Sequence, residues 1–153
     1  MRLENINEQN DERYLCYRPV EAFRIFNTNV DKEDVELYHI SIAVGQVLQE
    51  LQPVVGDYLE WLNNCEKELT KYIQEQLGEQ LPTNWTEEIE VYTASIVFNS
   101  VEDYGATISF GAESVFGEHI VELDFEGMKL ISIIEHAHVE KEFKGKERAD
   151  KKA

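Results

Sequence analysis

The residues best suited to chemistry or binding lie in segment 118–126, whose sequence is EHIVELDFE. Its apolar residues alternate with Glu122, Asp124 and Glu126, which is the period of a strand with one buried and one solvated face. Three like charges on one face repel one another. The pattern therefore suits a surface that meets a positively charged partner, although a merely solvated face would show the same pattern.

Further carboxylates extend this field beyond the strand. We predict that partner contacts come from the carboxylates of this segment, with Glu102 and Asp103 forming a second patch. The predicted contact residues of the segment are Glu118, Glu122, Asp124 and Glu126. Paired carboxylates also serve glycosidases, but in a chain this acidic any such pair is uninformative.

Histidines offer metal or acid–base chemistry. His136-Ala137-His138 would place two imidazoles on one face of a strand, and His119 or a nearby carboxylate could add a ligand. No third ligand has a diagnostic spacing, so we predict neither a metal site nor a cofactor. A Glu118-His119 pair could transfer protons. Because no activated nucleophile motif accompanies it, we expect His119 to have a hydrogen-bonding role.

Composition limits the possible partners. The 153 residues include 31 acidic and 14 basic ones, for a net charge of −17. Such a field repels phosphate backbones and anionic membrane surfaces, so we expect no nucleic acid and no membrane as partner.

Cys16 and Cys65 are far apart and form no metal-binding or redox motif, and we expect Cys65 to be a buried free thiol. With no signal sequence or membrane span in the pattern, we expect a cytoplasmic protein.

The order of elements predicts one α+β domain over residues 1–139. We expect residues 1–13 to fray and residues 140–153 to form a charged, disordered tail. An amphipathic helix is predicted over 57–77, because apolar residues recur there every three or four positions and Gly78 follows. The helix would cover one face of a mostly antiparallel sheet of about five or six strands.

The strands are predicted with different clarity. A meander is expected over 89–98, 106–111, 119–125 and 128–134, with a tight turn at Glu126-Gly127. Segment 35–44 fits either a helix or a strand, and its β-branched residues favour a strand that pairs with 22–27. We expect Pro53 to interrupt any helix that begins near Gln46.

This layout resembles a class of small acidic bacterial domains of unknown function. The resemblance covers about residues 55–138 and includes Phe116-Gly117-Glu118-His119-Ile120 and the closing Leu130-Ile131-Ser132-Ile133. Some members of that class are encoded beside toxins and are thought to act as immunity proteins. The resemblance implies stoichiometric neutralisation of a toxin without catalysis, and it transfers no site residue.

The predicted function is therefore a non-catalytic acidic binding protein of the immunity type, directed against a basic partner such as a nuclease toxin. One alternative is a small metal-binding protein or hydrolase that uses His119, His136 and His138. Another alternative is an oligomeric structural protein, because the last strand is apolar on both faces.

Overall fold

The structure, a computed structural model, describes residues 2–6, 12–30 and 38–136. Within these residues, the strands are β1 Leu3–Asn5, β2 Tyr14–Pro19, β3 Phe23–Ile25, β4 Thr28–Val30, β5 Tyr38–Ala43, β6 Glu90–Phe98, β7 Tyr104–Gly111, β8 Ile120–Glu126 and β9 Lys129–His136. Seven of them form one sheet in the order β1-β2-β5-β6-β7-β8-β9, and β3 and β4 form a separate hairpin. The helices are α1 Leu48–Asn63, α2 Glu66–Leu77, α3 Glu113–Phe116 and a 3₁₀ turn at Trp85–Glu88. The α+β class is confirmed, with a larger sheet than predicted.

The sheet is antiparallel except where β5 and β6 pair in parallel. Helices α1 and α2 lie between these two strands in the chain. Parallel neighbours need such a long crossover, because a short turn can only reverse the chain. The crossover places both helices against the sheet, and their buried side chains share one core with alternate residues of the central strands.

The predicted single helix over 57–77 is wrong in its bounds. Helix α1 begins at Leu48, passes through Pro53 and ends at Asn63. Its core residues continue at helical spacing on both sides of the proline, so burial outweighs the roughly 3 kcal/mol that an interior proline costs. Asn64 leaves helical geometry, and its side-chain amide donates to the Glu60 carbonyl oxygen over 2.8 Å. Helix α2 then begins at Glu66 and ends at Leu77, directly before the predicted stop Gly78.

The predicted pairing of 22–27 with 35–44 is also wrong. Strand β5 forms as expected, but it pairs with β2 and β6. Strand β3 instead turns back on β4 through Phe26 and Asn27, both at positive φ. Phe26 is fully buried and its amide donates to the Leu62 carbonyl oxygen over 3.0 Å, so the hairpin tip belongs to the core beneath α1.

The predicted meander is confirmed as β6, β7, β8 and β9. Its last turn lies one residue later than predicted, at Gly127-Met128, because Glu126 pairs with Lys129. Gly127 has a φ of 58°, a left-handed value that glycine adopts without steric cost. The expected fraying of 1–13 is interrupted by β1, and the predicted tail at 140–153 lies outside the described residues.

Candidate protein-binding surface

Strand β8 has the two-faced character that its sequence predicts. Val121 and Leu123 are fully buried and Phe125 is 4 % exposed, and all three belong to the core under the helices. Glu122 and Asp124 point to the other side of the sheet and are half-buried, and Glu126 is exposed. We call that other side the open face, because the described helices share their core with the opposite side.

Asp124 is held firmly by neighbouring strands. Thr107 of β7 donates its hydroxyl to one carboxylate oxygen over 2.8 Å, and Ser132 of β9 donates to the other over 2.9 Å. Both donors are neutral, so the hydrogen bonds fix the carboxylate without cancelling its charge. Asp124 therefore cross-links three strands and contributes negative potential to the open face.

The histidine candidates fall into two separate pairs. His136 Nε2 lies 3.4 Å from Glu122 on the open face. His119 Nδ1 contacts Glu135, whose register partner Val121 faces the core. The structure thus places the two imidazoles on opposite sides of the sheet edge, and His138 lies outside the described residues.

No metal centre is assembled in the described part of the chain. There, no group of three or more His, Cys, Asp or Glu side chains is arranged to hold a metal ion.

Cys65 is buried, as predicted, and burial raises the pKa of its thiol to about 12. Cys16 is half-buried, with its sulfur 3.9 Å from the Ser41 hydroxyl.

One end of β8 opens into a shallow depression of about 320 Å³, which we call the loop depression. Asp103, Asp124 and Glu126 contribute the carboxylates that line it, and Tyr104 lies among them. The loop after β6 is closed by a 2.8 Å hydrogen bond from the Asn99 amide to the Asp103 carbonyl oxygen. Glu102 is exposed in the same loop and does not line the depression.

The other end of β8 borders a larger concavity of about 530 Å³, which we call the acidic pocket. Four carboxylates line it, together with Tyr92 and Ile120. They belong to Glu88, Glu90, Glu113 and Glu118. The pocket lies where the 3₁₀ turn and α3 meet the ends of the strands, so three separate chain segments supply its charges.

Hydrogen bonds orient two of the pocket carboxylates. The Ser114 amide donates to Glu88 over 2.8 Å, and the Tyr92 hydroxyl donates to Glu90 over 3.0 Å. Desolvation raises the pKa of Tyr92. The hydrogen bond to Glu90 adds to the rise, because the hydroxyl can donate to the carboxylate only while it keeps its proton. At neutral pH Tyr92 is therefore an uncharged hydrogen-bond donor whose ring lines the acidic pocket.

The structure therefore places five of the six predicted contact residues in or between the two concavities, and Glu102 in the loop beside the loop depression. Glu118 lies in the acidic pocket, Glu122 lies at mid-strand, and the loop depression holds three of the others. The two concavities lie at opposite ends of β8, whose seven residues span about 20 Å. The Arg–carboxylate pairs Arg2–Glu21 and Arg18–Glu4 lie at the opposite edge, in and beside β1 and β2.

Some residues of this surface could not be identified from the sequence. Thr107 and Ser132 are isolated hydroxyls in strands, and only the register of β7, β8 and β9 brings them to Asp124. His39 on β5 contacts the Ser95 hydroxyl at 3.3 Å through the parallel pairing with β6. The nearest available signal was the alternation of Ser and Thr with buried residues in β6 and β7.

Searches against protein-family models, curated proteins and solved structures found no significant match to this chain. Among the described residues, no helix is both long and apolar enough to cross a membrane.

Proposed function

We propose that this chain is a non-catalytic acidic binding protein of the immunity type, which neutralises a basic partner such as a nuclease toxin. The observation that carries the proposal is the placement of carboxylates in two concavities, one at each end of β8. Between them the open face adds Glu122. A partner with a basic groove of similar length would meet negative charge along the whole contact.

Electrostatics explains how such a surface would act. A nuclease holds its substrate through lysine and arginine contacts with phosphates. Carboxylates presented about 20 Å apart can occupy that groove in place of the phosphates. The net charge of −17 would also attract a basic partner during diffusion. Complementary charge raises association rate constants well above the value for uncharged pairs, which is about 10⁵–10⁶ M⁻¹s⁻¹.

Aromatic rings beside the carboxylates support protein rather than small-ion binding. Tyr92 lines the acidic pocket and Tyr104 lines the loop depression. Lysine and arginine carry long alkyl stems that pack on apolar surface while their charged ends remain solvated. A tyrosine next to a carboxylate thus suits both parts of such a side chain, and tyrosines are enriched among residues that dominate binding energy.

The surroundings of the reactive groups favour binding over chemistry. The Cys65 thiol is buried, and its raised pKa leaves it protonated and unreactive at neutral pH. His119 and His136 contact different carboxylates on different sides of the sheet edge. Neither arrangement supplies a nucleophile next to a base.

The proposal is tested by capture of partners from the source cell lysate on the immobilised protein. We expect one basic protein, held near one to one at low ionic strength and released at moderate salt, because screening shortens the reach of exposed charges to about 8–10 Å. A second capture uses the reversal pair Glu113→Lys and Glu118→Lys in the acidic pocket. Its matched control is Glu75→Lys with Glu79→Lys, which makes the same charge change at exposed positions in and after α2.

The two variants distinguish an effect of net charge from an effect of the acidic pocket. Loss of the partner from the pocket variant, with retention by the control, supports the proposal. Equal retention by both variants, or a partner that resists salt, contradicts it.

A further inference from the structure

The two edges of the seven-stranded sheet are built differently. At one edge, β1 has three residues and an exposed glutamate, Glu4, which are common protections against pairing with another chain. At the other edge, β9 has eight residues and contains neither glycine nor proline. Ile131 and Ile134 on this strand are 50 % and 47 % exposed. An exposed apolar edge strand is a template for a further strand.

Strand β9 is regular over its second half. The register shifts between Asp124 and Phe125, which leaves Ile131 as an extra residue opposite β8. Beyond that bulge, residues 132–136 pair continuously with β8. We call these five residues, with the sequence SIIEH, the β9 edge segment. Among the described residues, no strand pairs with the outer side of this segment.

We propose that the β9 edge segment pairs in antiparallel fashion with the same segment of a second copy of this chain, which joins two seven-stranded sheets into one. A two-fold axis at such a pair makes the contact self-complementary and closes the assembly at two copies. The backbone groups on the outer side of the β9 edge segment would then be satisfied, and Ile134 would pack beside Ile134 of the second copy.

The side chains favour one register. With Ile134 opposite Ile134 of the second copy, Ser132 faces His136 and Ile133 faces Glu135. Residues directly opposite lie on the same side of the sheet, and this register keeps Ser132, Ile134 and His136 together on the open face. It also separates the two Glu135 side chains, whose direct opposition would be destabilising.

The apolar side chains of this segment favour a second copy over a basic partner. Glu135, which lies within the segment, contacts His119, and the adjacent Glu122 and Asp124 contact His136 and Ser132. The segment itself offers isoleucines rather than a run of carboxylates. A basic protein is attracted to the acidic pocket and the loop depression, whereas this apolar edge is matched by another apolar strand.

The mass of the intact protein in solution tests the proposal first. We expect light scattering coupled to size exclusion to give twice the 17.8 kDa of one chain. Ile134→Lys should reduce the mass to that of one chain. Val44→Lys is the matched control, because Val44 is also β-branched and is 56 % exposed but lies after β5. The control should remain a dimer, and circular dichroism should show both variants folded.

A disulfide tests the register without a destabilising charge. Opposite residues in an antiparallel pair have Cα atoms about 4.5–5.5 Å apart, within the range that a disulfide spans. Ile134→Cys should therefore form a covalent dimer under mild oxidation, and Val44→Cys should not.

Three results would overturn the proposal. One is a monomeric mass at every protein concentration. Another is a dimer that survives Ile134→Lys and does not cross-link through Ile134→Cys, which would place the interface elsewhere. The third is a monomer whose Ile134→Lys variant loses a protein captured from the lysate, which would assign the edge to a partner's strand.

Discussion

The hydroxyl of Tyr58, in the middle of α1, donates a 2.8 Å hydrogen bond to the carbonyl oxygen of Gly127, in the turn between β8 and β9. The amide of Gly127 in turn donates to the Tyr104 carbonyl oxygen over 2.7 Å. Both polar groups of this turn residue are thus engaged, one by a helix and one by β7. The turn fixes the end of β8 that carries Glu126, so the helix layer positions the loop depression.

Removal of the Tyr58 hydroxyl should therefore destabilise the protein. The side chain is fully buried, and its ring packs edge-on to Tyr104 at 4.8 Å. Tyr58→Phe keeps the ring but leaves the Gly127 carbonyl without this donor, which should lower the free energy of unfolding by about 1–3 kcal/mol. Urea denaturation measures the loss. Tyr92→Phe, at a partly exposed position, is the control and should change stability by less than about 0.5 kcal/mol.

The stability of the protein should fall in alkaline solution, beginning near pH 9. Burial raises the pKa of Cys65 from 9.0 to about 12, and nearby Glu68 and Glu66 add to the rise. The folded state therefore keeps a proton that the unfolded state releases. This contribution is complete below pH 9 and is lost between pH 9 and 12, at about 1.4 kcal/mol per pH unit.

Tyr58 adds a second loss with the same sign. Burial raises its pKa above the ordinary value of 10.0, so its contribution declines only above pH 10. Urea denaturation across this range should show a slope in the wild type between pH 9 and 10. Cys65→Ala should remove that slope although it lowers stability overall. An unchanged slope in the variant would assign the alkaline loss to other groups.

Asp124 should matter more for stability than the other acidic residues of β8. Asp124→Ala removes the acceptor for Thr107 and Ser132, and we expect a loss of about 1–3 kcal/mol. Glu126→Ala, at an exposed position, should lie within about 0.5 kcal/mol of the wild type. Thermal or urea unfolding compares the two, and equal effects would contradict the structural role of Asp124.

Gly105 should resist substitution by any larger residue. A Cβ added there would clash with the Phe125 carbonyl oxygen, a backbone atom of the adjacent strand β8. Gly105→Ala must therefore displace the β7–β8 pairing, and we expect a loss of about 1–3 kcal/mol. Ser109→Ala, a partly exposed position in the same strand, is the control and should be close to neutral. A stable Gly105→Ala variant would contradict the close approach of the strands.

What the sequence could predict depended on whether the signal was local. The alternation in β8 was readable because burial of Val121 and Leu123 on one face leaves the intervening carboxylates on the other. The break at Asn64 was not readable, because apolar spacing continues across it from Leu62 to Cys65 and Leu69. The parallel neighbours β5 and β6 were equally hidden, since their pairing joins residues more than fifty positions apart.

The candidate surface shows the same contrast between local signals, which the sequence contains, and contacts that form only on folding. The acidic residues on β8 could be listed from their spacing, and the structure places them as expected. The acidic pocket could not be assembled, because Glu88, Glu113 and Glu118 come from separate segments that meet only through folding. The two histidine pairs likewise depend on the register of β8 and β9.

The association rate of the captured partner with acidic-pocket variants tests the central claim most directly. Glu113→Lys with Glu118→Lys should slow association about tenfold or more at low salt, because charge complementarity acts mainly on the rate of encounter. Glu75→Lys with Glu79→Lys makes the same change in net charge away from the pocket and should slow it much less. Equal slowing by both variants would show that only net charge matters and would contradict the assignment of this surface.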